Sequence, residues 1–213
     1  MGIIRDEILG WLHEDFSKSL KNEVDVVVFT NETTEHCDTA FAIAKELSGL
    51  NGKIHFIQYD VDKNLEASET YRVSRAPTTI IAKHGEQDGR IRFTGLPSGY
   101  EFTSLVEIIK NLSRNEASLT ASTLQRVAAV SVPTEIRVFV TPTCPYSPRI
   151  VQAAHKFAMM NPNIRTDIIE ALEFHDLASE AGVNSVPHVA ISNGNEFEGA
   201  FPEETFASYV SGD

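Results

Sequence analysis

The sequence is poor in cysteine, in positive charge and in long apolar segments, and each shortage excludes a class of protein. Its 213 residues contain only Cys37 and Cys144, too few thiols for a secreted disulfide framework or a zinc site built from cysteine. No run of about 18 apolar residues occurs, so we expect no membrane-spanning helix. Lysine and arginine number 18 against 30 acidic residues, and the net charge of −12 opposes binding to nucleic acid or an anionic membrane.

The N-terminal segment lacks the apolar centre of a secretory signal, because acidic residues interrupt it. With so few cysteines, this predicts a cytoplasmic protein. Apolar residues recur at every fourth position, which predicts one face of an amphipathic helix; these are Ile4, Ile8, Leu12 and Phe16. We expect this face to pack on its own domain; docking on a partner is the alternative.

An internal repeat is the most informative feature that is present. The strand-like segments DVVVFT and IRVFVT place Phe29 and Phe139 110 positions apart. The segments YRVSRAP and AGVNSVP place Pro77 and Pro187 at the same offset of 110. Each half of the sequence then reads helix, strand, helix, strand, helix, strand, strand, helix, with SLTASTLQRVAAV opening the second half. Alternating strands and helices followed by a hairpin predict an α/β domain with a mixed sheet in each half.

The segment TPTCPYSPR connects a predicted strand to a predicted helix and contains Cys144. At the N-terminus of a helix, unpaired N–H groups and the helix dipole favour a negatively charged sulfur. Pro145 suits the first helical position, because its fixed φ fits there and its missing N–H costs nothing. A thiolate that attacks disulfides must also be reachable. Ser147 stands where a second cysteine would complete a C-x-x-C motif, and its hydroxyl is expected to hydrogen-bond to the Cys144 sulfur.

These segments resemble the thioredoxin superfamily. YDVDKN followed by YRVSRAPT resembles the third strand of a thioredoxin and the loop that carries its cis-proline, and TPTCPYSP resembles a glutaredoxin-type site with one cysteine replaced. Two such units in one chain are similar to the archaeal-type protein disulfide oxidoreductases. They are also similar to the N-terminal part of the flavoprotein component of alkyl hydroperoxide reductase. The resemblance implies two tandem thioredoxin-like domains, residues 1–115 and 116–213, each a mixed sheet flanked by helices.

The resemblance also implies roles for residues in the second half. Cys144 is the expected nucleophile, and Ser147 occupies the position of the resolving cysteine. Pro145 and Tyr146 are expected to contact the substrate beside the nucleophile. Pro187 is the expected cis-proline.

A cis-proline leaves the backbone of the residue before it, here Val186, available to an extended peptide. At the offset of 110, Thr34 corresponds to Cys144 and Cys37 to Ser147. The first half therefore has a degenerate site, with Ala76 and Pro77 as its cis-proline pair. We expect Cys37 to be structural and buried; a redox-active thiol is the alternative.

Three functions stay open at this point. The first is a thiol–disulfide oxidoreductase that acts on protein disulfides and receives electrons from a thiol reductant or a reductase partner. We expect it to have no cofactor and no bound metal. The second is a tandem thioredoxin-like module that binds partner proteins without catalysis, and the third is an electron relay to a peroxidase. The sequence also leaves open whether Ser147 is natural or an alteration of a C-x-x-C motif.

Overall fold

The computed structural model describes residues 2–212, which form two compact units. One unit takes in the chain up to Leu96 together with Ile109–Glu116, and the other takes in Pro97–Ile108 together with the chain from Ala117 onward. The division of the sequence between residues 115 and 116 stays a prediction. Among the described residues, no helix has the length and apolar character needed to cross a membrane.

Each half of the sequence has the predicted order of elements. The first half consists of α1 (Asp6–Ser19), β1 (Val24–Thr30), α2 (Cys37–Ser48), β2 (Ile54–Asp60), α3 (Leu65–Tyr71), β3 (Thr78–Lys83), β4 (Ile91–Thr94) and α4 (Tyr100–Arg114). The second half consists of α5 (Ala121–Ala129), β5 (Thr134–Val140), α6 (Ser147–Met160), β6 (Ile164–Glu170), α7 (His175–Glu180), β7 (His188–Ile191), β8 (Glu196–Glu198) and α8 (Glu203–Ser211).

The two units have mixed sheets of the same topology. In the first unit the strand order is β2-β1-β3-β4, with β1 parallel to β2 and antiparallel to β3. In the second unit the order is β6-β5-β7-β8, with β5 parallel to β6 and antiparallel to β7. In each unit a helix joins the parallel pair and a hairpin joins the last two strands, as the alternation of elements predicts.

Local sequence accounts for several of these elements. All seven residues of β1, VDVVVFT, are buried, which suits its β-branched composition. Helix α5 begins after Thr120, whose side chain accepts a hydrogen bond from the Thr123 N–H at 3.2 Å. The predicted apolar face of α1 is confirmed for Leu12 and Phe16, which are buried, and for the half-buried Ile8, whereas Ile4 precedes the helix.

A buried arginine holds the loop that precedes Pro77. Arg92 on β4 donates hydrogen bonds to the carbonyl oxygens of Arg72 at 2.7 Å, Tyr71 at 2.8 Å and Gly89 at 2.8 Å. The planar guanidinium can serve several carbonyls at once because its donors form a fixed fork. Arg92 therefore ties the end of α3 to the hairpin and fixes the chain that leads into β3.

Candidate active site

The pairing of β5 with β7 brings two loops of the second unit together. Phe139, one residue before the end of β5, lies opposite His188, the first residue of β7. Because the strands are antiparallel, the chain leaving β5 and the chain entering β7 meet at one end of the sheet. The first of these loops carries Cys144, and the second carries Val186 and Pro187. Residues separated by 42 positions in sequence are thus neighbours.

Cys144 is held in this site by both its side chain and its backbone. Its Sγ–H donates to the carbonyl oxygen of Val186 at 3.4 Å, and its N–H donates to the carbonyl oxygen of Thr141 at 3.2 Å. The residue is 8% exposed, so the expected reachable thiol is in fact largely covered. Pro145 and Tyr146 are exposed beside it. A substrate would meet these two side chains before the sulfur.

The predicted start of the helix at Cys144 and Pro145 is wrong. Helix α6 begins at Ser147, after turns that contain Pro145 and Tyr146. A helix with Cys144 as its first capping residue needs the N–H of residue 148 to donate to the Cys144 carbonyl, and Pro148 has no N–H. Helix α6 thus begins two residues later than expected, at the position that corresponds to Cys37, the first residue of α2, and Cys144 precedes it in a turn.

Ser147 also differs from the expectation. It is fully buried in the first turn of α6, and its Oγ makes no hydrogen bond to the described residues, so the expected hydrogen bond to the Cys144 sulfur is absent there. A buried hydroxyl without a partner costs roughly 1–3 kcal/mol. A thiol is a much weaker hydrogen-bonding group and behaves as a small apolar side chain. The surroundings of position 147 thus suit a cysteine better than the serine that is present.

The corresponding loop of the first unit is organised by one asparagine. The Oδ1 of Asn31 accepts from the Thr34 N–H at 2.8 Å, and the Asn31 N–H donates to the Cys37 Sγ at 3.5 Å. Cys37 is 3% exposed and packs with Phe29 and Ala76 in an apolar cluster, which confirms that it is buried. Thr34 is exposed at the position that Cys144 takes in the second unit. This loop therefore has a threonine at the position where the second unit has Cys144.

The two prolines of the repeat have the predicted conformation. The Ala76-Pro77 and Val186-Pro187 peptide bonds are both cis. Both precede a strand that pairs antiparallel with the central strand of its unit, β3 in the first and β7 in the second. The two prolines therefore share their conformation and the strand pairing that follows them.

A buried carboxyl group that sequence reasoning missed lies in the same unit as Cys144. Glu101, in the first turn of α4, is 2% exposed, and neither of its carboxylate oxygens has a hydrogen-bond partner among the described residues. Burial raises its pKa from 4.5 to about 7, and a weaker interaction with the Ser104 hydroxyl acts in the opposite direction. A carboxyl group that titrates near neutral pH is suited to proton transfer.

The start of α4 is fixed to the loop that contains Cys144. The N–H of Tyr100 donates to the carbonyl oxygen of Pro142 at 3.0 Å. Gly99 has a φ of +59°, and a Cβ added to it would lie 2.1 Å from that same oxygen, so only glycine permits this approach. Glu101 is therefore attached through Tyr100 to a residue two positions before Cys144. An acidic residue in the first turn of a helix is ordinary in sequence, and only the fold shows that this one is buried.

Two thioredoxin family models match the chain. One, described as Thioredoxin, matches residues 8–107, and the other, described as Thioredoxin domain, matches residues 134–210. Together they span both halves of the internal repeat.

Solved structures match nearly the whole chain. A protein disulfide oxidoreductase from Aeropyrum pernix K1 is 31% identical with a TM-score of 0.87, covering 97% of this chain and 92% of its own. The NTD_N/C domain of the alkylhydroperoxide reductase AhpF from Enterococcus faecalis has a TM-score of 0.88 at 23% identity, covering 97% of this chain and 99% of that domain structure. The second match shows the fold alone.

A curated relative extends beyond this chain. A component of the alkyl hydroperoxide reductase of Pseudomonas aeruginosa is 29% identical over 154 residues, which is 72% of this chain and 28% of the relative. The chain thus spans less than a third of that protein's length.

Proposed function

Because the chain belongs to the thioredoxin family and carries two thioredoxin domains in tandem, we propose that it is a thiol–disulfide oxidoreductase that acts on protein disulfides through Cys144. The observation that carries the proposal is the position of the Cys144 sulfur, 3.4 Å from the Val186 carbonyl beside Pro187. A substrate strand that pairs with the Val186 backbone would bring its disulfide to this sulfur.

The reaction begins when Cys144 loses its proton and the thiolate attacks one sulfur of the substrate disulfide. The substrate S–S bond breaks, a mixed disulfide with Cys144 forms, and the other substrate sulfur leaves as a thiolate that takes up a proton. Glu101, with its pKa near 7, is the group that we propose exchanges protons with this loop. Its test is the pH dependence of mixed-disulfide formation, which Glu101→Gln should alter between pH 5 and 8.

The second half of a dithiol cycle needs a second sulfur, and position 147 has an oxygen. A mixed disulfide at Cys144 therefore persists until an external thiol attacks it, returning the thiolate of Cys144 and a disulfide between that thiol and the substrate. We propose that the site is a degenerate or altered dithiol site, because the buried Ser147 hydroxyl has no hydrogen bond among the described residues. A thiol reductant or a reductase is the partner that this chemistry requires. We propose a cytoplasmic location, where a chain whose two cysteines form no disulfide among the described residues would keep its thiols reduced.

The decisive experiment replaces Ser147 with cysteine. The new thiol lies within one helical turn of Cys144, so its attack on the mixed disulfide is intramolecular and has a high effective concentration. Reduction of a model protein disulfide by dithiothreitol should accelerate in Ser147→Cys, by at least tenfold. The parent should stay slow in this assay. Incubated with the substrate without added thiol, it should retain covalently bound substrate that dithiothreitol then releases.

Ser147→Ala is the matched control, because it changes the same buried side chain without adding a sulfur. It should leave the reduction rate as slow as in the parent. If Ser147→Cys gives no acceleration while Cys144 still reacts with small disulfides, the protein is a partner-binding module rather than an enzyme.

An electron relay within a larger reductase is the second candidate, favoured by the similarity to a component of alkyl hydroperoxide reductase. A relay passes two electrons by closing and opening a disulfide within the site. With one sulfur at each site, the chain as it stands cannot do so. Electron transfer to a peroxidase that appears only in Ser147→Cys would favour the relay.

A further inference from the structure

Three side chains of the first unit converge at one end of its sheet. His55 is the second residue of β2, Glu23 immediately precedes β1, and His84 immediately follows β3. These strands are neighbours in the order β2-β1-β3, so the three positions lie side by side. One ligand atom from each residue lies within 4.8 Å of the other two.

The distances in this cluster fit a small metal ion. The Oε2 of Glu23 lies 3.0 Å from the Nε2 of His55 and 3.6 Å from the Nε2 of His84. Around a tetrahedral zinc ion with bonds of about 2.0–2.1 Å, ligand atoms are about 3.3–3.4 Å apart. The two observed separations bracket that value. Two imidazoles and one carboxylate are a ligand set that zinc sites use, with water in the fourth position.

A buried aspartate orients one of the imidazoles. The Nδ1 of His84 lies 2.7 Å from the Oδ1 of Asp25, and the Oδ2 of Asp25 accepts from the Gly85 N–H at 2.9 Å. Asp25 is buried, whereas His84 is about half exposed. A carboxylate that holds Nδ1 leaves Nε2 as the coordinating nitrogen, and this arrangement is typical of histidines that bind zinc.

Ion pairs without a metal are the alternative explanation for the cluster. The rings of His55 and His84 are stacked, with their centroids 4.2 Å apart. In that alternative the single Oε2 of Glu23 has to serve both Nε2 atoms, at 3.0 and 3.6 Å, whereas one metal ion can be shared by all three ligand atoms. A metal ion needs neutral imidazoles and places its own positive charge between the rings and Glu23. The neighbouring amine of Lys21 is engaged elsewhere, with Glu116 at 2.8 Å.

We propose that Glu23, His55 and His84 bind a divalent transition-metal ion of the zinc type, with Asp25 orienting His84 and water completing the coordination. We expected no metal site because the sequence has too few thiols, but the ligands proposed here are two imidazoles and a carboxylate. The ion would connect three adjacent strands of the first unit. The site is separate from the chemistry of Cys144 and does not depend on it.

The test is titration of the full-length, tag-free protein with Zn²⁺, after removal of metal with a chelator and alkylation or substitution of both cysteines. Calorimetry should show one equivalent bound. His55→Ala, His84→Ala and Glu23→Gln should each weaken binding at least tenfold, and Asp25→Asn by about 10–100-fold. Unfolding of the parent should move to higher denaturant on addition of Zn²⁺, because the ion binds the folded state.

His13→Ala is the matched control, since His13 lies in the same unit and hydrogen-bonds to the Leu50 carbonyl oxygen at 2.9 Å. It should bind Zn²⁺ like the parent. The ligand side chains are partly exposed, and circular dichroism of each variant establishes that it is folded. Absence of binding in the parent at about 100 μM Zn²⁺, or binding retained in both His55→Ala and His84→Ala, would overturn the proposal.

Discussion

Replacing Glu101 with glutamine tests whether its carboxyl group is buried as the structure shows. In the folded protein the pKa of Glu101 is raised to about 7, whereas the ordinary value is 4.5. Between these two pH values the folded state holds a proton that the unfolded state has released, so the free energy of unfolding falls as pH rises. The stability that this proton contributes is fully present below pH 4.5 and is lost as pH rises through 7.

The size of the effect follows from the two pKa values. Each pH unit between about 4.5 and 7 corresponds to about 1.36 kcal/mol, so ionised Glu101 destabilises the fold by about 3 kcal/mol at pH 8. Glutamine has nearly the same shape and does not ionise. We therefore expect Glu101→Gln to match the parent at pH 4.5 to 5 and to exceed it by up to about 3 kcal/mol at pH 8.

Urea denaturation of both proteins at several pH values between 4.5 and 8 measures this difference. Taking the difference between parent and variant at each pH cancels every other titrating group. Glu7→Gln is the control, because Glu7 also lies in the first turn of a helix and is exposed; it should change stability by less than about 0.5 kcal/mol throughout. If Glu101→Gln gains no stability between pH 5 and 8, the carboxyl group is not buried and the proposed proton exchange fails with it.

Three further predictions concern thiols, a histidine and an arginine. In timed alkylation read by peptide mass, Cys144 at 8% exposure should react before Cys37 at 3%, and equal rates would contradict the assignment of the reactive thiol. Burial lowers the pKa of His155 from 6.5 to about 3, so the free energy of unfolding should fall as pH drops below 6.5. His155→Gln should make that fall less steep. An unchanged slope between pH 6.5 and 4 would show that His155 does not cause it. Arg92→Lys should lower the free energy of unfolding, measured by urea denaturation, by about 2 kcal/mol or more, because an amine cannot donate to all the carbonyls that the guanidinium holds. A loss below about 0.5 kcal/mol would show that these hydrogen bonds contribute little.

Most of the fold could be predicted because the sequence repeats itself. A constant offset between Phe29 and Phe139 and between Pro77 and Pro187 identifies two units, and strand and helix periodicity gives the order of elements within each. The start of α6 could not be read in the same way. The general preference for proline in a first helical turn pointed to Pro145, whereas α6 begins at Ser147, as α2 begins at the corresponding Cys37.

The sequence could not predict which distant side chains the fold brings together. Glu101 follows the predicted hairpin of the first half, yet the N–H of the preceding residue, Tyr100, donates to the Pro142 carbonyl oxygen in the Cys144 loop. Its sequence context, an acid opening a helix, is common on protein surfaces. Glu23, His55 and His84 are likewise far apart in sequence, and counting cysteines gave no indication of them. In both cases strand pairing and the reversal of the chain decide which residues become neighbours, and no local sequence pattern indicates it.

Each unit has one cysteine, and the two cysteines occupy non-equivalent positions of the repeat: Cys144 corresponds to Thr34, and Cys37 to Ser147. We propose that only Cys144 can start a disulfide exchange. In the first unit the remaining thiol, Cys37, is at the inner position, where Asn31 contacts its sulfur and apolar side chains cover it. The outer position holds Thr34, which cannot attack a disulfide. In the second unit Cys144 is at the outer position, beside the exposed side chain of Tyr146. A sulfur at the outer position can begin an exchange without the inner one, whereas the inner sulfur can only complete an exchange that the outer one has begun. The first unit therefore lacks the initiating step and the second lacks the resolving step, so under the proposed function the chain captures disulfides and depends on another thiol to release them.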